Sequence, residues 1–410
     1  MIKKKHVLFL SMGLYPLNSG LSLYSYGICE ELSKSVELTV FSILENTQRV
    51  REAYEKIGSS LRLHLYAYKD KERSLGAKLI NLSLKVEAIF RYVYPLVREF
   101  YKGITEYLDQ NKVDTIIIDH VAMAMYFRAL HRRYPEITFI YNSHNVEFLN
   151  NKANYYDRRV FQNSIGGRVR KAVTACRCRL HKRLERMLLN KCSYTFCISK
   201  CDAEILGKEF GNGDKLRCLK PLIHFPRVKN KESMDQTNKK LLIIGSMSWF
   251  PNYNGIVWFV EKVFGKLLEI DPEYELYLVG RDPDPHLAEL VQRYPDNIIL
   301  TGGVPDTEEY FKLCSISIIP IFEGTGAKIK VLESIARGIP TVCSAFAAKD
   351  YDITDEIFVA DSEQKFLEGI LTISNQPELR NKYYDRMARY YDRYFHINQE
   401  ILDILHPNAS

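Results

Sequence analysis

Pro320-Ile321-Phe322-Glu323-Gly324-Thr325-Gly326-Ala327-Lys328-Ile329-Lys330-Val331-Leu332-Glu333-Ser334-Ile335-Ala336-Arg337-Gly338-Ile339-Pro340 is the densest pattern in the chain. The apolar run 315–319 before it reads as a strand that ends at Pro320. Gly324 and Gly326 bracket a turn, because glycine admits positive φ and close approach of another group. A helical pattern then starts near Ala327. The free N–H groups of a helix start make an anion site. Lys328 and Lys330 put positive charge into the first turns, where it opposes the helix dipole at a cost of up to ~1 kcal/mol. A site that tolerates that cost has an anion to meet. Glu333 lies one to two turns further on, where a carboxylate can grip vicinal hydroxyls as an acidic residue grips ribose in dinucleotide sites. Gly-x-Gly alone also fits a plain strand-turn-helix connection; the whole string is more specific.

The same unit recurs on both sides of this stretch. Strands are predicted at 6–10, 36–42, 61–66, 114–118, 137–142, 193–198 and 216–219, with amphipathic stretches at 22–34, 75–92, 95–110, 122–133 and 168–190. Residues 224–240 are polar and charged without apolar periodicity, which reads as a linker. The alternation restarts with strands at 241–244, 274–279, 297–300, 315–319, 340–343 and 357–359. Helical patterns fill 255–269, 286–293, 307–313, 327–337 and 363–372, and 376–405 reads as helices. Strand, helix, strand at this spacing predicts α/β architecture with parallel sheets covered on both faces. The expected organisation is an N-terminal Rossmann-like domain over 1–223, a linker over 224–240 and a C-terminal Rossmann-like domain over 241–394. A last helix near 395–410 is expected to pack back on the first domain. Ligands of open α/β sheets bind beyond the carboxyl ends of the strands, so the two domains are expected to face a shared cleft.

Composition bounds the function. At 410 residues, 46% hydrophobic and 26% charged, the chain is neither disordered nor a membrane bundle. No apolar run approaches the ~18 residues of a membrane span. The N-terminus is basic, then apolar, but too short for a signal peptide; residues 7–10 read as the first strand and the location as cytoplasmic. The nine cysteines show no paired C-x2-C spacing, so reduced thiols and no metal site are expected. The net charge of +7 is concentrated. Residues 152–191 hold twelve Lys and Arg against Asp157 and Glu185, a net +10, which leaves the rest at −3. Such a segment meets nucleic acid, anionic lipid or an acidic substrate, or is a solvated helix face. No nucleic-acid-binding signature accompanies it.

The 320–340 string resembles the donor-site signature of retaining GT-B glycosyltransferases of the GT4-like group (group 1 glycosyl transferases), a type found in bacterial polysaccharide and glycolipid biosynthesis. Other stretches fall in that family's order. Ser11-Met12-Gly13 through Ser19-Gly20 resembles its first glycine loop. Ser143-His144-Asn145-Val146-Glu147 resembles its His-Asn-x-Glu, and Ser199-Lys200-Cys201-Asp202 its Ser-x-x-Asp. The loop Gly245 to Asn252 resembles the opening of its second domain. Leu278-Val279-Gly280-Arg281 and Thr301 to Asp306 resemble the next two strand ends.

The resemblance implies GT-B architecture and transfer of a sugar, of hexosyl type, from a nucleotide diphosphate sugar to a saccharide or lipid-linked acceptor. It implies no metal and no other cofactor, because cationic side chains and a helix N-terminus would carry the growing charge on the leaving diphosphate. His144, Lys330 and Glu323 are the implied catalytic residues. Gly245, Asn252, Arg281, Gly324, Thr325, Gly326, Lys328 and Glu333 are the implied donor site. Gly13 and Gly20 would let the backbone approach the acceptor or a phosphate. Asp119-His120 is a second strand-end candidate, and Asn145 and Glu147 are read as structural. Segment 152–191, flanked by Tyr155, Tyr156 and Phe161, would meet an anionic inner membrane surface. One departure stands out: Thr325 occupies the position of the first of two family glutamates, and Glu323 is the nearest acid. A degenerate, non-catalytic GT-B partner protein and a GT-B sugar-nucleotide epimerase are the alternatives.

Overall fold

Each predicted strand exists, because each apolar run is short and bounded by turn residues; the inner strands, such as those over His6–Met12 and Thr115–Asp119, are buried along almost their whole length. The computed structural model describes residues 4–17, 19–44, 46–67, 95–150, 165–226, 238–353, 355–394 and 399–405. The chain divides into two compact units: residues 1–224 with 325–327 and 397–410, and residues 225–324 with 328–396.

The first unit holds β1 (His6–Met12), β2 (Glu37–Leu44), β3 (Arg62–Ala67), β4 (Thr115–Asp119), β5 (Thr138–Ser143), β6 (Tyr194–Cys197) and β7 (Leu216–Cys218). They form one parallel sheet in the order β3-β2-β1-β4-β5-β6-β7. Two apolar layers cover it, one around Leu8, Leu10, Phe100 and Ile118. The other is built around Val7, Phe9, Tyr24 and Ile117 and includes Ile401 and Leu405 of the helix Gln399–Leu405. Period-two alternation along β1 thus feeds both faces.

The second unit holds β8 (Lys240–Ile244), β9 (Glu275–Val279), β10 (Ile298–Gly302), β11 (Ile316–Ile319), β12 (Thr341–Ser344) and β13 (Phe358–Ala360). The order β10-β9-β8-β11-β12-β13 is again parallel throughout. Both sheets therefore reverse direction beside their first strand, the doubly wound order in which the switch point lies between strands one and four.

Three helices escape the sequence pattern: Thr47–Ile57, Lys200–Phe210 and Ala345–Ala348. The first buries only Ala53 and Ile57, too sparse a stripe to read as periodicity. The helix expected from Ala327 starts at Ile329 instead. Gly326 holds φ +75° and Lys328, the N-cap, φ −85° and ψ 77°, so neither lies in the helical region. The amphipathic stretch 75–92, the loop 151–164 and most of the linker lie outside the described residues.

Candidate active site

The carboxyl ends of β1, β4 and β5, with the helix that follows β1, bring five polar side chains together in the first unit. Asp119, the last residue of β4, is 0% exposed. Its Oδ2 accepts hydrogen bonds from the hydroxyls of Ser11 (2.6 Å) and Ser25 (2.7 Å). Its Oδ1 accepts from Asn142 Nδ2 (2.7 Å) and lies 2.5 Å from His144 Nε2. Burial opposes charge on Asp119, but His144 and these hydroxyls outweigh it and hold the carboxyl below its ordinary range. His144 is 4% exposed, with the ring of Tyr24 edge-on at 4.9 Å and that of His120 at 5.4 Å.

A second cluster adjoins it. Glu147, read as structural, is buried, and its Oε1 lies 3.2 Å from His120 Nε2 and accepts from Asn145 Nδ2 at 3.2 Å. Burial works against its charge, but His120, His181 and Asn145 prevail and hold it at about 2. Glu185, on the long helix Ile165–Lys191, accepts the backbone N–H groups of Glu147 (2.9 Å) and Phe148 (3.2 Å). Burial, reinforced by the charge of Glu147, pushes Glu185 up to about 8.

The remaining first-unit candidates are backbone features. Gly13 follows β1 at φ +92°, and Gly20 is the exposed first residue of the helix Gly20–Ser35, capped by Ser19. Thr325 and Gly326, expected in the second domain, group with the first unit. There the Gly326 N–H donates to both oxygens of Asp202 (3.1 and 3.0 Å), and Ser199 caps the helix that carries Asp202.

In the second unit the site forms at the end of β8. Lys330 Nζ donates to Asn252 Oδ1 at 2.8 Å, and Asn252 Nδ2 donates to the Ser246 carbonyl at 2.7 Å. Gly245 makes room for this pair: at φ +138°, a Cβ there would sit 2.3 Å from Lys330 Nζ and 2.8 Å from Asn252 Nδ2. The ring of Trp249 lies 5.7 Å from Lys330 Nζ, a cation–π contact that no spacing rule predicts. Burial pushes Lys330 down to about 8, Lys328 adds to that, and Glu333 counters it. Glu333 lies 3.5 Å from the Thr307 hydroxyl. Burial raises its carboxyl above the ordinary range, against the pull of Arg337 and Lys330. Arg337 is buried beside it, its guanidinium 5.4 Å from the Phe311 ring and 3.5 Å from Glu308.

Other donor candidates stand elsewhere in the unit. Lys328 is 3% exposed, with Nζ 5.0 Å from the Phe346 ring. Glu323 accepts from Asn254 Nδ2 at 2.6 Å. Gly324 holds φ +104°. Arg281 is exposed, with its aliphatic chain beside Gly303. The structure therefore unites Gly245, Asn252, Lys330 and Glu333, and leaves Arg281 and Glu323 with other partners.

Among the described residues, metal ligation has no evident centre. The sequence contains two Asp-x-Asp pairs, Asp282-Pro283-Asp284 and Asp350-Tyr351-Asp352. Asp284 caps the helix Pro285–Val291 by accepting the His286 N–H. Among the described residues, no group of three or more His, Cys, Asp or Glu side chains is placed to hold a metal ion. No described helix is long and apolar enough to cross a membrane.

Residues 238–376 match the family Glycosyl transferases group 1. That third of the chain contains Gly245, Asn252, Lys330 and Glu333. A Klebsiella pneumoniae protein, an uncharacterized 44.6 kDa protein in the cps region, is 23% identical over 152 residues. The match covers 35% of this chain and 39% of that protein, so the chain spans about two fifths of the curated relative. Solved structures match over nearly the full length. Anabaena HepE in complex with UDP and glucose has a TM-score of 0.66 at 13% identity, covering 98% of this chain and 99% of that one. TarM, known from S. aureus, gives 0.68 at 9% identity, with 100% and 99% covered. A glycosyltransferase from Rickettsia africae gives 0.63 at 13% identity, with 99% and 100% covered. Such identities show the fold: two Rossmann-like units with parallel sheets of seven and six strands, as in GT-B glycosyltransferases.

Proposed function

We propose that the protein is a metal-independent glycosyltransferase that moves a hexosyl group from a nucleotide diphosphate sugar to a saccharide or lipid-linked acceptor, with retention, in surface polysaccharide or glycolipid synthesis. The observation that carries this reading is Lys330, held by Asn252 beneath the side-chain-free Gly245, with Glu333 one turn along the same helix. The family match over 238–376 and the UDP and glucose bound by HepE support a nucleotide sugar as the donor. In transfer, the bond from the anomeric carbon to the diphosphate breaks and the diphosphate keeps the electron pair. The acceptor oxygen bonds the same carbon, and its proton passes to the departing diphosphate oxygen. Lys330 supplies positive charge to the leaving group, Glu333 accepts from the ribose hydroxyls, and His144 orients the sugar.

On the basic helix Ile165–Lys191, Lys182 is already paired with Glu209 and lies over Phe148, and Arg186 lies over Phe210. Arg183, Arg186 and Lys191 are exposed and would add up to ~1 kcal/mol each beside anionic lipid. Co-sedimentation with phosphatidylserine vesicles should then fall steeply with salt; salt-independent binding would remove the charge from that role.

The decisive experiment is a thermal-shift panel of UDP-, GDP-, ADP- and dTDP-sugars, with and without EDTA. A ligand at ~100-fold its Kd stabilises the native state by ~2.7 kcal/mol. A shift with one donor that survives EDTA, followed by turnover of that donor, is the expected result. Folded protein that answers to no donor would overturn the reading.

A further inference from the structure

A carboxylate is acceptor-only, and Asp119 is surrounded by donors. Two hydroxyls meet Oδ2, and an amide N–H and His144 Nε2 meet Oδ1, all within 2.7 Å. Completely buried, such a group is tolerable only ionised and fully satisfied. His144 must therefore carry its proton on Nε2, pointing at Asp119. The other ring nitrogen, Nδ1, is buried and has no hydrogen-bond partner among the described residues. Buried N–H groups without partners are rarer than buried acceptors without partners, so the neutral Nε2–H form fits best. Tyr24 and His120 pack edge-on against the ring and hinder any exchange of its two nitrogens.

We infer that Asp119, held by Ser11, Ser25 and Asn142, is a positioning residue that locks His144 as the Nε2–H tautomer and keeps Nδ1 as a hydrogen-bond acceptor for a donor hydroxyl of the bound sugar. This rests on the proposed transfer reaction for the identity of the ligand, but not for the tautomer. Ser11 is on β1, Ser25 on the following helix, Asp119 on β4 and Asn142 on β5, so the device spans the switch point of the first sheet. A buried acceptor without a partner destabilises the free protein, and a ligand hydroxyl that donates to it removes that penalty.

The test is 15N NMR of the full-length protein with 15N-histidine, the His144 signals assigned by their loss in His144→Gln. The expected wild-type spectrum shows a protonated Nε2 and an unprotonated Nδ1. Asp119→Asn offers an amide N–H or a weaker carbonyl in place of Oδ1, and the ring should shift toward the Nδ1–H form. Ser25→Ala removes one donor from Oδ2 only and should keep the wild-type tautomer. With the nucleotide sugar that gives the largest thermal shift, Asp119→Asn should lower kcat by about 100-fold or more while KM changes by less than about threefold. A wild-type Nδ1 that bears a proton overturns the inference even if Asp119→Asn does not fold. So does an Asp119→Asn protein that folds and keeps the wild-type tautomer. A failed donor panel with the expected tautomer would remove the transfer reading and leave the Asp119–His144 lock standing.

Discussion

If Lys330 meets the diphosphate of a nucleotide sugar, binding must take up a proton. In the free protein burial holds this lysine at about 8, against 10.5 for an ordinary one. About nine tenths of the sites are then charged at pH 7, about half at pH 8 and about one tenth at pH 9. A diphosphate beside Nζ favours the charged form and returns the group toward its ordinary range. Uptake should therefore be about 0.1 proton at pH 7, about 0.5 at pH 8 and about 0.9 at pH 9. Affinity should fall about tenfold between pH 7 and pH 9, because above pH 8 the ligand must also drive protonation. The assay is isothermal titration with the donor from the panel, repeated in buffers of different ionisation enthalpy. Lys330→Arg should keep binding and lose the uptake, because arginine stays charged throughout. Lys330→Met should lose both. Pressing affinity that is flat from pH 7 to 9, with no buffer-dependent heat, would refute the placement of Lys330 against the diphosphate.

Glu333→Ala should weaken nucleotide-sugar binding by ~1–3 kcal/mol, roughly 5- to 150-fold, and unchanged affinity by titration would remove Glu333 from the ribose. Gly245→Ala should cost ~1–3 kcal/mol through strain at φ +138°, and its Cβ should displace the Lys330 and Asn252 side chains, so donor affinity falls in protein that still melts cooperatively. Glu185 is raised to about 8 in the fold, so its contribution to stability is complete below its unfolded value and is lost as pH rises through about 8. The wild-type melting temperature should decline by several degrees between pH 6 and 9, and Glu185→Gln should flatten that decline.

The fold was legible because its signals are local. A run such as Val7 to Leu10, apolar on both faces, can be satisfied only inside a covered parallel sheet, and the thirteen described strands sit at βαβ spacing. Helix starts were less legible because they depend on backbone angles that side-chain periodicity does not report. Lys328 belongs to the helical pattern by spacing but serves as the N-cap, since Gly326 places the chain on a left-handed path before it. Thr47–Ile57 was missed because a helix that buries two side chains leaves almost no stripe.

The site was legible as residues but not as pairs. Lys330, Asn252 and Gly245 were each singled out, yet 78 positions separate the two that hydrogen-bond, and no spacing rule predicts that contact. The same holds more strongly for Asp119. Its strand-end position marked it as a candidate beside His120, but the structure pairs it with His144, 25 residues on, and with Ser11, 108 residues back. A signal for these partners did exist: Ser11, Asp119 and Asn142 are polar residues at the carboxyl ends of otherwise apolar strands. In a parallel sheet those ends come side by side, and a polar group there must find a partner or a ligand. Ser11, Ser25 and Asn142 found Asp119. His144 found it with one nitrogen and has the other still to satisfy, which is why the functional assignment of this end of the sheet turns on a single proton.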